Sequence, residues 1–151
     1  MKKLRTVIID DEAPARELMR YYLNDAPEID IIAECADGFS GLKTISELKP
    51  DLVFLDIQMP RLTGFELIEV MTEKPAIIFT TAYDQFAIKA FEMNAVDYLL
   101  KPFPKERLHE AINKVIKRSG PEKTERIPPS RLIEKMPEPL LPFGGKFLIH
   151  P

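Results

Sequence analysis

Five short apolar runs, separated by windows of helical period, constrain this chain more than any other feature of it. The runs are "TVIID" from Thr6, "EIDIIAEC" from Glu28, "DLVFLD" from Asp51, "AIIFTT" from Ala76 and "VDYLL" from Val96. Three of them are apolar almost throughout, which suits strands buried on both faces of a parallel sheet. Between them lie the helical windows. Leu18, Met19, Tyr22 and Leu23 share a face after Pro14, which is acceptable in a first turn. Leu42, Ile45 and Leu48 repeat the pattern before the break at Pro50, and Phe65, Ile68 and one of Val70 or Met71 follow Gly64. Phe86, Ala90 and Met93 make a fourth window. Leu108, Ala111, Ile112, Val115 and Ile116 make a fifth, with apolar residues at i, i+3, i+4, i+7 and i+8. Strict strand–helix alternation predicts a doubly wound α/β domain, with right-handed crossovers placing helices on both faces.

The pattern stops near Ser119. From there to Pro151 the chain carries seven of its fourteen prolines and three of its six glycines. Residues 119–140 read as a Pro-rich linker, and "KFLI" within 141–151 regains strand character but is too short to fold alone. The expected organisation is a domain over 1–118, a linker, and the first strand of a second domain that the chain does not contain. The net charge of -3 does not point to a nucleic-acid surface. Cys35 is the single cysteine and cannot form an internal disulfide; it reads as a small residue of the second strand. The opening "MKKLRTVIIDD" meets acids after about four apolar positions, too soon for a signal peptide. No apolar run nears the ~20 residues that span a bilayer. These observations give an expected cytoplasmic location with no membrane partner.

Ligands of open α/β sheets bind at the carboxyl ends of the strands. Those ends carry Asp10 and Asp11, then Asp56, then Thr80 and Thr81, with Lys101 just after the last strand. Adjacent Asp10 and Asp11 repel each other unless something positive lies beside them. Three carboxylates can share a hard divalent cation, for which Mg²⁺ is the natural match. With the cation in place, Asp56 becomes a reasonable phosphoryl acceptor, and Lys101 and Thr81 can hold the remaining phosphoryl oxygens. Each residue alone has a plainer reading. An Asp at a strand end is usually a turn or cap residue, a Thr can be an N-cap, and a Lys before "PF" is usually on the surface. The agreement of four strand ends outweighs those readings. His109 and His150 are too isolated to support a histidine-based metal site.

The segments "VIIDDE", "DLVFLDIQMPRLTGFEL", "FTTAYD" and "DYLLKPF" resemble the signature stretches of response-regulator receiver domains of two-component signalling, in order over roughly Leu4 to Arg118. The resemblance implies a flavodoxin-like fold: a doubly wound, five-stranded parallel sheet of order 2-1-3-4-5 with five helices. It implies phosphoryl transfer to Asp56 from a sensor histidine kinase. It also implies Mg²⁺ (or Mn²⁺) held by Asp11, Asp56 and the backbone carbonyl of Gln58, with Asp10 assisting. Thr81, placed directly before the small Ala82, takes the switch position over Thr80, and Tyr98 matches the aromatic switch residue. The Lys101–Pro102 bond is expected to be cis. Gln58 and Tyr83 stand where the family tunes dephosphorylation. "YDQFAIKAFEMNAVDYLLKPF" and "GGKFLIHP" are similar, more narrowly, to receivers joined to LytTR DNA-binding domains. That implies a transcription regulator that touches DNA only through an output domain outside this chain. It also implies a phosphorylation-promoted homodimer formed through the fourth helix, fifth strand and fifth helix.

Rival readings fare less well. An Asp-nucleophile phosphatase needs a DxD motif on the first strand, where this chain has adjacent acids. A flavin module needs a phosphate-cradling loop where this chain has "DDEAPAR". The stronger alternative is a degenerate receiver that binds partners without being phosphorylated, although none of the key positions is missing.

Overall fold

The computed structural model describes residues 3–118. The expected linker over 119–140 and the expected strand over 141–151 lie outside the described residues. The elements alternate as β1 (Leu4–Ile9), α1 (Ala13–Leu23), β2 (Ile29–Cys35), α2 (Gly38–Leu48), β3 (Leu52–Asp56), α3 (Gly64–Val70), β4 (Ala76–Thr81), α4 (Ala87–Glu92), β5 (Asp97–Leu100) and α5 (Lys105–Arg118). The strands are parallel and lie in the order β2-β1-β3-β4-β5. This is the doubly wound α/β domain that the alternation predicted, in the flavodoxin-like order that the resemblance implied.

The apolar runs fill two cores, one on each face of the sheet. Because successive strand side chains point to opposite faces, Val7, Ile9, Val53, Leu55, Ile77 and Phe79 pack under α2, α3 and α4. Their neighbours Ile8, Leu52, Phe54 and Ile78 pack under α1 and α5. β3 is buried at all five positions, which is why its run is unbroken. β2 is an edge strand of mixed burial, with an irregularity opposite Thr6 and Val7, which accounts for its interrupted run. α5 buries Leu108, Ala111, Ile112 and Val115, four of its five expected core positions, and Ile116 packs partly against them.

The structure settles four details of the helical windows. Leu18 shares a helix with Met19 and Leu23 but is exposed, because α1 presents only a narrow stripe to the sheet. Leu48, in the last turn of α2, is also exposed. In the third window it is Met71 that packs inward, while Val70 is exposed. The fourth window is divided: Asp84–Phe86 form a 3-10 turn before the short α4 begins.

Candidate functional site

Asp10, Asp11, Asp56, Thr81 and Lys101 stand at the carboxyl end of the sheet because a strand delivers each of them there. Asp10 follows β1, where its backbone N–H donates to the Cys35 carbonyl of β2 at 3.0 Å. Its carboxylate accepts the Glu12 N–H at 3.0 Å, closing the turn into α1. Asp56 ends β3 in register with Thr80 of β4. Carboxylate oxygens of Asp10, Asp11 and Asp56 come within 4.8 Å of one another, with Asp10 and Asp56 buried and Asp11 exposed. The Lys101 ammonium lies 2.9 Å from Asp10 and 3.8 Å from Asp56. The chain leaves this position through a cis Lys101–Pro102 bond, as the resemblance implied.

The electrostatics follow from that crowding. Burial, then the Asp10 charge, push the Asp56 carboxyl up to about 7, against the opposing pull of Lys101. For Lys101, burial acts to lower the ammonium, but its hydrogen bond to Asp10 and the charge of Asp56 outweigh burial and raise it. Three carboxylates against one ammonium leave an all-oxygen, anionic donor set with room for a further cation. That chemistry fits a hard divalent ion such as Mg²⁺ or Mn²⁺. Gln58 is exposed, two residues beyond Asp56 in the same loop.

The remaining expected residues line the β4 and β5 side. Thr81 is fully buried at the end of β4, and its hydroxyl accepts the Tyr83 N–H at 3.2 Å. Its carbonyl accepts the Lys101 N–H at 2.7 Å, tying the two strand ends together. Thr80 is a strand residue whose carbonyl accepts the Ile57 N–H. Tyr98 is 6% exposed, packed in the core under α4, and its hydroxyl donates to the Tyr83 carbonyl. Burial, with the charge of Asp84, pushes that phenol up to about 12. Tyr83 is half exposed, its ring set edge-on to Phe86.

Some supporting residues escaped the sequence reading. Arg16 of α1 donates to the Asp10 carbonyl at 2.7 Å and lies 3.7 Å from Glu34 of β2, so it braces the acidic turn from outside. Nothing local marks it, because Asp10 lies outside the helix at no helical spacing from it and Glu34 comes from another strand. Gly64 lies under Asp56; a Cβ there would meet the Asp56 carbonyl oxygen at 2.5 Å. Here the chain does carry a local signal. "TGFE" carries a capping box in which Thr63 and Glu66 each accept the other's N–H, and Gly64 sits inside it.

Residues 6–113 match the family described as the response regulator receiver domain. The chain belongs to that family. The receiver is 51% identical over 116 residues to an uncharacterized response regulatory protein of Vibrio vulnificus, covering 76% of this chain and 48% of that one. It is 43% identical over 111 residues to the transcriptional regulatory protein BtsR of Escherichia coli, covering 72% and 46%. The chain thus spans about half the length of the curated relatives it matches. Among solved structures, the response regulatory domain of mrkE from Klebsiella pneumoniae superposes with a TM-score of 0.70 at 32% identity, covering 76% of this chain and 96% of that one. No helix among the described residues of the receiver is long and apolar enough to cross a membrane.

Proposed function

We propose that this receiver accepts a phosphoryl group on Asp56 from a sensor histidine kinase and thereby controls an output domain that regulates transcription. The observation that carries this reading is the meeting of the Asp10, Asp11 and Asp56 carboxylates, with the Lys101 ammonium set against Asp10 and Asp56. An Asp56 carboxylate oxygen attacks the phosphorus of the phosphohistidine. The phosphorus–nitrogen bond breaks, and its electron pair stays on the imidazole, which takes up a proton. Asp10, Asp11, Asp56 and the Gln58 carbonyl would hold Mg²⁺ or Mn²⁺, which supplies charge neutralisation for the phosphoryl oxygens. Lys101 pairs with a phosphoryl oxygen, and the Thr81 hydroxyl gives up its turn contact with Tyr83 to donate to another. Tyr98 couples that movement to the surface of α4, β5 and α5, because its hydroxyl is bonded to the residue next but one to Thr81. Gln58 and Tyr83 flank Asp56 and Thr81 and set access of the hydrolytic water.

On this reading the phosphorylated form pairs with a second copy through α4, β5 and α5, and phosphate shifts that equilibrium only by its differential affinity for the two states. The similarity to a transcriptional regulatory protein and the LytTR-like segments "YDQFAIKAFEMNAVDYLLKPF" and "GGKFLIHP" support DNA binding through an output domain outside this chain. Intact mass after incubation with Mg²⁺ and acetyl phosphate tests the core of the proposal. A gain of one phosphoryl group, lost in Asp56→Asn and with chelator, is expected. No gain with several small donors would favour the degenerate, partner-binding receiver.

A further inference from the structure

β5 presents a problem that its sequence does not solve with apolar residues. It is the last strand of the sheet, so among the described residues no strand pairs with its outer edge. Edge N–H and C=O groups need partners from elsewhere. A strand of this kind can leave them to water, yet β5 opens with a carboxylate that is only 2% exposed, that of Asp97. Burying an acid costs more than burying the Val or Ile a strand prefers, unless every lone pair is satisfied.

The Asp97 carboxylate is fully used. It accepts both forks of the Arg107 guanidinium at 2.8 Å and the Lys114 ammonium at 3.0 Å, both from α5. Its fourth donor is the backbone N–H of the next residue, Tyr98, at 2.8 Å. Arg107 then reaches past the carboxylate to donate to the Tyr98 carbonyl at 3.3 Å. The two outward main-chain groups of Tyr98 are therefore held by the two members of one bidentate ion pair. The phenol of the same residue is anchored separately, on Tyr83. Glu110 also pairs with Arg107, at 3.6 Å.

We propose that Asp97 and Arg107 together are positioning residues for Tyr98: the ion pair clasps the Tyr98 backbone at the free edge of the sheet, ties it to α5, and so fixes where its ring sits. This rests on the reading of Tyr98 as the aromatic switch. α5 and the ring then move as one unit, which a strand edge solvated by water would not enforce. Lys114 shares the carboxylate without touching the Tyr98 backbone, so it contributes charge but not position.

Hydrogen exchange and tyrosine-selective NMR on the full 151-residue chain separate these roles, with the four tyrosines assigned through Tyr98→Phe. In Arg107→Gln, the Tyr98 amide is expected to exchange about tenfold faster, while the Val7 and Val53 amides of the central strands change by less than about twofold. The Tyr98 ring signal should move at least half-way towards that of the exposed Tyr21. In Lys114→Gln, Tyr98 should stay within about twofold of wild type by exchange, with its ring signal in place. An unmoved Tyr98 in Arg107→Gln overturns the proposal. So does acceleration of Val53 by the same factor as Tyr98, or an equal response to Lys114→Gln, since both describe a general loss of stability. All of this is read on unphosphorylated protein. A wild type that gains no phosphoryl group would overturn the proposed function, while the exchange data still decide the positioning role.

Discussion

Replacing Asp56 by Asn should stabilise this protein, and the size of the gain should depend on pH. Burial and the Asp10 charge raise the Asp56 carboxyl from 3.8 to about 7. Between those values the folded chain holds a proton that the unfolded chain has released. The folded state therefore binds more protons than the unfolded one, and stability must fall as pH rises through that window. A shift of about three units at ~1.36 kcal/mol each sets a ceiling of about 4 kcal/mol on the cost of keeping Asp56 ionised above pH 7. Linkage gives about 1 kcal/mol of that cost at pH 4.5 and about 4 kcal/mol at pH 8. Asn keeps the size and polarity of the side chain but cannot ionise, so Asp56→Asn should gain about 3 kcal/mol more at pH 8 than at pH 4.5. Urea unfolding followed by circular dichroism, with chelator present, measures this directly. A variant no more stable than wild type at pH 8, or equally stabilised at both pH values, would refute the electrostatic account. Adding Mg²⁺ should then stabilise the wild type more than the variant, because binding to the folded state alone shifts stability by mass action.

Three further outcomes are expected. Gly64→Ala should destabilise by about 1–3 kcal/mol in urea unfolding and slow phosphoryl acceptance by Asp56, because its Cβ meets backbone atoms; Gly41→Ala should cost less, since its Cβ meets the flexible end of Ile9. Burial acts to raise Asp97, but Arg107 and Lys114 outweigh it and hold the carboxyl below its ordinary value of 3.8. That stabilisation is present above pH 3.8 and is lost as pH falls through the lowered folded value, so Asp97→Asn should cost about 3 kcal/mol at pH 7 in thermal unfolding and progressively less below pH 3.8. Arg16→Met removes the brace on the Asp10 carbonyl and should weaken Mn²⁺ binding by calorimetry about 3- to 10-fold, with the far-ultraviolet spectrum unchanged.

Local chemistry was enough to name much of this protein. Strands buried on both faces are apolar along most of their length, so β3 and β4 were visible as runs broken only at their carboxyl ends. A surface helix has to repeat its apolar residues every three to four positions, so α5 was visible as well. Acids and a lysine at strand ends pointed to the site because a doubly wound sheet brings those ends together. The two edge strands and the short helices were less legible. The burial of β2 is partial, and α4 shares its window with a 3-10 turn.

What only the tertiary structure decided are the relations between distant residues that carry no local signature. The resemblance already separated Thr81 from Thr80, but only the structure shows what the Thr81 hydroxyl meets at the end of β4, the backbone N–H of Tyr83. Arg16 reads as any helical arginine until Asp10 and Glu34 are seen to flank it. Asp97 reads as a flaw in an apolar strand until α5 brings Arg107 and Lys114 over it. Periodicity records how much of a residue is buried, because burial is a property of one side chain against the solvent. Pairing depends on which second side chain arrives, and that is settled only when the helices close over the sheet.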